Sequence, residues 1–210
     1  MTNTTRLIRD ETLYRLAGIT LAIAGVCTAL FWVLAALLGT FAGADVVLRA
    51  SWAPAQMLHV IGAMLAIFGF MGVYAAQRQE TGVLGLIGFV LAVVGTALFV
   101  ADGLIALGIF PALAIGAPAL LSVSGAINSG AVLILFIVIA ATNMVGQIAF
   151  GAATWRAGVF PRGAAGLFVI GGILFNLPPG PVPMIALALG GILWSAAAVW
   201  LGLALHRKYK

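Results

Sequence analysis

At 210 residues, 64% apolar and 7% charged, the chain has the length of one compact domain and is far too apolar for one dissolved in water. Its formal charge of +5 does not mark a nucleic-acid partner, because the basic residues are scattered among short segments and form no patch. Cys27 is the only cysteine, which excludes a disulfide within the chain and a cysteine metal site.

A bilayer core of about 30 Å takes about 20 helical residues, and the apolar blocks meet that length. Met1 to Glu11 mixes acids with bases and leads into about 24 uncharged residues, longer than the apolar core of a signal peptide, so a retained first span is expected at 16–39. A second span at 52–76 opens on Trp52, and a tight turn at Gln77-Arg78-Gln79-Glu80 leads back into a third at 81–108. From Gly103 to Trp155 there is no charge over 53 residues, but Pro111, Pro118 and Ser122-Val123-Ser124-Gly125 argue against a hidden helix there. Residues 109–128 read as an apolar outer loop that lies in the interface or is partly re-entrant. A fourth span follows at 129–154 and a sixth at 184–205. The fifth, at 160–177, is short, because it must stop before the proline-rich Leu177 to Pro183, read as a stiff outer hairpin.

Basic residues alternate across these gaps. Arg6, Arg9 and Arg15 precede the first span, Arg78 follows the second, Arg156 and Arg162 separate the fourth from the fifth, and Arg207, Lys208 and Lys210 follow the sixth. Only Arg49 lies in an opposite gap. Short basic loops stay cytoplasmic. The expectation is an all-α, polytopic membrane helical bundle: a single transmembrane domain over 1–210, with six helices and both termini inside. Tyr14, Tyr74 and Trp155 fall at cytoplasmic ends and Trp52 at an outer end, as interfacial aromatics do, while Trp32 and Trp194 lie deeper, as packing residues.

Helix association in lipid depends on close backbone approach, so the 27 glycines are expected largely at helix contacts. Gly82, Gly85 and Gly88 step along the third span, Gly18 pairs with Ala22 on the first, and Ala186 with Gly190 and Gly191 with Ser195 on the sixth. Gly72 before Arg78, Gly151 before Arg156 and Gly202 before Arg207 form a faint repeat. It reads either as a tripled hairpin or as the ordinary ending of an outward-to-inward span.

Ionisable groups at membrane depth are costly and draw functional suspicion. His59 on the second span and Asp102 on the third could meet in the outer half of the bundle, where a carboxylate would fix the imidazole tautomer or its charge. Asn143 and Gln147, one turn apart on the fourth span, and Asn176 on the fifth add polar groups that read as interhelical hydrogen bonds or as part of a ligand site. The tentative ligand-binding set is His59, Asp102 and Asn143. Catalytic equipment is poor, with no metal-ligand cluster and no phosphate loop. Ser122 to Gly125 is similar to the serine-glycine element of intramembrane serine proteases. Such a protease takes its histidine from the sixth span, where this chain has only His206 in the basic tail.

The segment Arg156-Ala157-Gly158-Val159-Phe160-Pro161-Arg162, followed by a Gly-Ala-Leu-rich span, resembles a recurrent loop of small uncharacterised bacterial multi-pass membrane proteins. The resemblance implies a bacterial plasma-membrane location and six helices, and carries over no functional residue. The leading expectation is a non-catalytic integral protein, an accessory or structural subunit that docks on other membrane helices or on itself. The alternatives are a small-molecule or ion/proton-handling protein with an outer-half polar site, and a pigment- or haem-binding subunit acting through His59. The partners expected are the lipid bilayer and other membrane subunits, not nucleic acid. No cofactor is required by the leading reading.

Overall fold

The computed structural model describes residues 10–178 and 182–210. Arg6 and Arg9 of the charge pattern, and Pro179, Gly180 and Pro181 of the proline-rich segment, lie outside the described residues. Within them the chain is all-helical. The helices are α1 (Asp10–Leu38), α2 (Ala44–Val47), α3 (Trp52–Gly108), α4 (Phe110–Gly116), α5 (Gly130–Ala157), α6 (Arg162–Phe175) and α7 (Met184–Lys208), with short 3-10 turns at Pro118–Leu121 and Ala126–Asn128. Four stretches are long and apolar enough to cross a membrane: α1, the run Trp52–Gly116, α5 and α7. Asp10 and Glu11 open α1, while Arg207 and Lys208 close α7, each charge opposing the helix-terminal partial charge nearest it.

Helix α3 runs for 57 residues but is broken at Gly82, where φ 56° and ψ −152° leave the helical region. That conformation is open only to glycine at little cost, so Gly82 folds the helix back on itself. The two arms, 52–81 and 83–108, lie antiparallel. Tyr74 stacks on Phe89 with ring centroids 4.5 Å apart, and Trp52 Nε1 donates to the Ala106 carbonyl at 2.9 Å. The reversal therefore sits a few residues later than the expected turn. Helix continues through Gln77, which is fully buried instead of exposed on a turn.

Neighbouring helices meet closely at glycines and close a ring. The first arm of α3 lies on α1, with Gly69 against Leu21 and Gly62 against Thr28. The second arm lies on α5, with Gly88 against Phe150 and Gly95 against Asn143. Helix α6 joins α5 at Gly151 and α7 at Gly171, and α7 returns to α1. At that last seam a β-carbon on Gly202 would come 2.5 Å from the Gly18 carbonyl oxygen, and one on Gly18 2.6 Å from the Gly202 carbonyl oxygen. Almost every glycine expected at a contact is spent within the chain. Gly82 is the exception on the third-span series, being the break itself with no atom near its missing side chain.

The interior divides into two layers. At the end holding the chain termini, Phe70, Phe150, Phe168 and Trp194 interlock around the axis, edge to face except for the tilted Phe168–Trp194 pair, with centroids 5.7–6.3 Å apart. At the opposite end Phe31, Trp32, Trp52 and Phe110 fill the core beneath α2, α4 and the 3-10 turns. The loop expected to lie in the interface is thus a folded lid, fastened by Gly43 N–H to the Leu121 carbonyl at 2.8 Å and by Asn128 Nδ2 to the Ser122 carbonyl at 2.8 Å. Trp52, read as an interfacial anchor, is only 2% exposed, because the Ala106 carbonyl satisfies its indole N–H inside the core. Trp155, by contrast, is exposed. The recurrent loop has a local reason too. Gly158 ends α5 in the left-handed region at φ 65°, and Pro161 then starts α6.

Two glycine substitutions separate the two constraints. Gly82→Ala meets no neighbour and should destabilise by about 1–3 kcal/mol through backbone strain alone. Gly202→Ala should cost a comparable amount by forcing α7 off α1. Thermal unfolding in detergent measures both, and adding Gly18→Ala should worsen only the second non-additively.

Candidate functional site

Asn143 stands at the midpoint of α5 and is 1% exposed. It is the hub of a polar cluster that draws on three helices. Its Nδ2 donates to Thr96 Oγ1 on the second arm of α3 at 3.2 Å. Its Oδ1 accepts from Gln147 Nε2 one turn along α5 at 2.5 Å and from Asn176 Nδ2 at 3.2 Å. Asn176 follows the last residue of α6, and its Nδ2 also donates to the Gly172 carbonyl at 2.7 Å.

The amide orientations follow from this chain of contacts. The Gly172 carbonyl can only accept, so Asn176 must present Nδ2 to it. The same Nδ2 needs an acceptor on Asn143, which fixes Oδ1 there and turns Asn143 Nδ2 toward Thr96. Gln147 must then offer Nε2 to Asn143 Oδ1. Two acceptors are left over, Gln147 Oε1 and Asn176 Oδ1, both buried with no partner in the protein. Neither can be relieved by exchanging O and N, because each exchange places two acceptors face to face. Trp194 Nε1 on α7 is a buried donor with no partner. At the Gly171–Gly172 step of α6, the Trp194 backbone packs against Gly171 and the Gln147 side chain against Gly172.

A smaller node lies toward the end holding the termini. Thr154 Oγ1 donates to the Phe150 carbonyl at 2.8 Å, so it can only accept from Gln77 Nε2, at 2.7 Å. Gln77 Oε1 is left without a partner. Across both nodes the unpaired groups are three acceptors and one donor, and such groups are costly when buried.

His59 and Asp102 are not joined to this cluster or to each other. His59 Nε2 lies 3.2 Å from the Phe99 carbonyl, with Phe31 and Phe99 against the imidazole at centroid separations of 4.7 and 5.8 Å. A carbonyl only accepts, so Nε2 carries the proton and Nδ1 keeps its lone pair. His59 packs on Gly103, next in sequence to Asp102, but Asp102 makes no hydrogen bond or ion pair among the described residues. Ser122 Oγ and Ser129 Oγ bond carbonyls within the lid, and no bond links the lid serines to His59. No group of three or more His, Cys, Asp or Glu able to hold a metal occurs among the described residues.

Of the tentative set, then, only Asn143 is a hub. Gln147 and Asn176 join it as read, while Thr96, Gln77 and Thr154 are added by the fold. Thr96 and Thr154 resemble any other threonine in an apolar run, and only three-dimensional pairing singles them out.

Removing the hub should cost more than removing an arm. Asn143→Leu strands three partners and should destabilise by about 2–4 kcal/mol, whereas Gln147→Leu removes one bond and one unpaired acceptor together and should cost about 1 kcal/mol or less. Chemical unfolding of both variants in mixed micelles checks the order, and equal losses would contradict the orientations given above. Comparisons with family models, with curated proteins and with solved structures find no match to this chain.

Proposed function

We propose that the chain is a multi-pass protein of the bacterial plasma membrane, crossing six times with both termini cytoplasmic. At the Asn143–Gln147–Asn176 seat it handles a small uncharged molecule rich in hydrogen-bond donors, without covalent chemistry. The crossing count is supported by the Gly82 reversal, which makes two spans of α3, and by α6 taken as a short fifth. The orientation is supported by the basic residues at Arg15, Arg78, Arg156, Arg162 and Arg207, and the location by the loop resemblance at 156–162.

The observation that carries the ligand reading is the forced pair of unpartnered acceptors at the seat. A donor-rich solute or a water supplies what Gln147 Oε1 and Asn176 Oδ1 lack. Charge is disfavoured, since the cluster consists of amides and a threonine with no carboxylate to neutralise a cation. Helix length supports the same place. The 14 residues of α6 reach about 21 Å against a core of about 30 Å, so the chain leaves helical geometry at Asn176 while still at membrane depth. Irregular backbone is tolerated there only when buried in protein or facing a polar cavity.

The accessory-subunit reading keeps one specific support. Residues 130–138 of α5 include no buried position, so this half-helix is only partly covered by the described residues and would suit a partner helix. The glycine faces no longer argue for docking, because they are used within the ring.

Native purification in mild detergent, followed by mass spectrometry of what co-purifies, separates these readings. A small polar molecule retained by wild type and by Asp102→Asn, but lost in Gln147→Leu and Asn176→Leu, is the expected result. A stoichiometric protein partner and no solute would favour docking through α5, and a visible absorption band lost in His59→Ala would favour a haem or pigment at His59. In a Cys27→Ala background, a cysteine placed at the exposed Val123 should react with an impermeant maleimide from outside and one at Gln79 only after permeabilisation.

A further inference from the structure

Two connected hollows lie between α1 and the first arm of α3, at the end that holds the chain termini. The larger, about 600 Å³, lies within the roughly 300–1,000 Å³ range of small-molecule sites and has an apolar floor of Leu13, Leu16, Ala17, Phe68 and Met71. Thr20 and Asp10 are its other polar lining besides the shared rim. The smaller, about 210 Å³, is polar and is bounded by Gln79 and Glu80. Tyr14, Ala75 and Arg78 line both. An apolar trough thus leads to a rim with a guanidinium, and past it to a carboxylate.

We infer that this cleft binds a zwitterionic phospholipid whose headgroup ends in a primary ammonium. An acyl chain lies in the trough, the phosphate meets Arg78, and the ammonium meets Glu80. The order apolar, cation, anion along the cleft matches the order acyl, phosphate, ammonium along such a lipid. Arginine is the side chain best shaped for a phosphate, and among the described residues Arg78 has no carboxylate partner. Asp10 in the larger hollow and Glu80 in the smaller set two carboxylates against one guanidinium, a lining that opposes a headgroup of net negative charge. A trimethylated headgroup would lose the hydrogen bonds that a primary ammonium gives to Glu80. The rim is held in place from behind, where Tyr14 stacks on Tyr209 with centroids 4.2 Å apart. Glu80 reaches the same corner, since burial together with Tyr14 and Glu80 raises the Tyr209 phenol above its ordinary value.

Native mass spectrometry of the full chain, released from vesicles of equal parts phosphatidylethanolamine, phosphatidylcholine and phosphatidylglycerol with identical acyl chains, tests this. Wild type should retain phosphatidylethanolamine over both others. Glu80→Gln should lower its preference over phosphatidylcholine by about two- to five-fold, the range of an exposed ion pair. Arg78→Gln should weaken retention of all three. Both positions are exposed, so the unfolding midpoint should match wild type and show that the loss is not one of folding. Equal retention of the three lipids, preference for phosphatidylglycerol, or an unchanged preference in Glu80→Gln would overturn the assignment. So would phosphatidylethanolamine binding that appears only when Leu7 and Ile8 are made polar, which would put the chain's own N-terminal segment in the trough.

Discussion

Everything in this molecule depends on how near one helix backbone comes to the next. In lipid there is no hydrophobic force between helices, because the surrounding acyl chains are as apolar as the side chains, and adhesion rests on packing and hydrogen bonds. Dispersion falls off steeply with separation, so the gain is largest where no side chain intervenes. Gly18 against Gly202, Gly88 against Phe150 and Gly171 against Trp194 are such places, one on each of three seams. With these contacts the aromatic rings of Phe70, Phe150, Phe168 and Trp194 are pulled into a single interlocked layer, and without them the ring of helices would have no reason to close.

Tight seams also explain why the polar groups matter. In a ring packed this closely, each amide meets its immediate neighbours first. Asn143 does so three times over, and its success dictates that Gln147 and Asn176 each keep one oxygen unpaired. The cost falls where α6 ends early, at the one place in the ring where a helix is too short to fill its own length. Shortness of the helix and surplus of acceptors are thus two aspects of one location.

Helix type, the apolar blocks and the position of Gln147 one turn from Asn143 were legible because they depend on residues close in sequence. Composition gave the blocks, and a four-residue spacing gave the amide pair. What could not be read depends on a backbone angle or on the far side of the ring. Gly82 sits in a glycine series that looked like one continuous contact stripe, yet only its φ of 56° distinguishes the break from the contacts. Trp52 has the composition of an interfacial anchor until Ala106, 54 residues later, offers its carbonyl. His59 and Asp102 invited pairing because each is rare in such a chain. Rarity carries no direction, and the nearer acceptor was the backbone of Phe99.

The α1–α7 seam has a consequence for how the protein is made. Helices are made in chain order, but α1 packs closely on α7, far along the sequence, through Gly18, Gly25, Ser195 and Gly202. Until α7 is made, the face of α1 that carries Gly18 and Gly25 is without this neighbour. A chain cut before α7 keeps that small-residue face uncovered by α7, an adhesive flank that the complete seam closes.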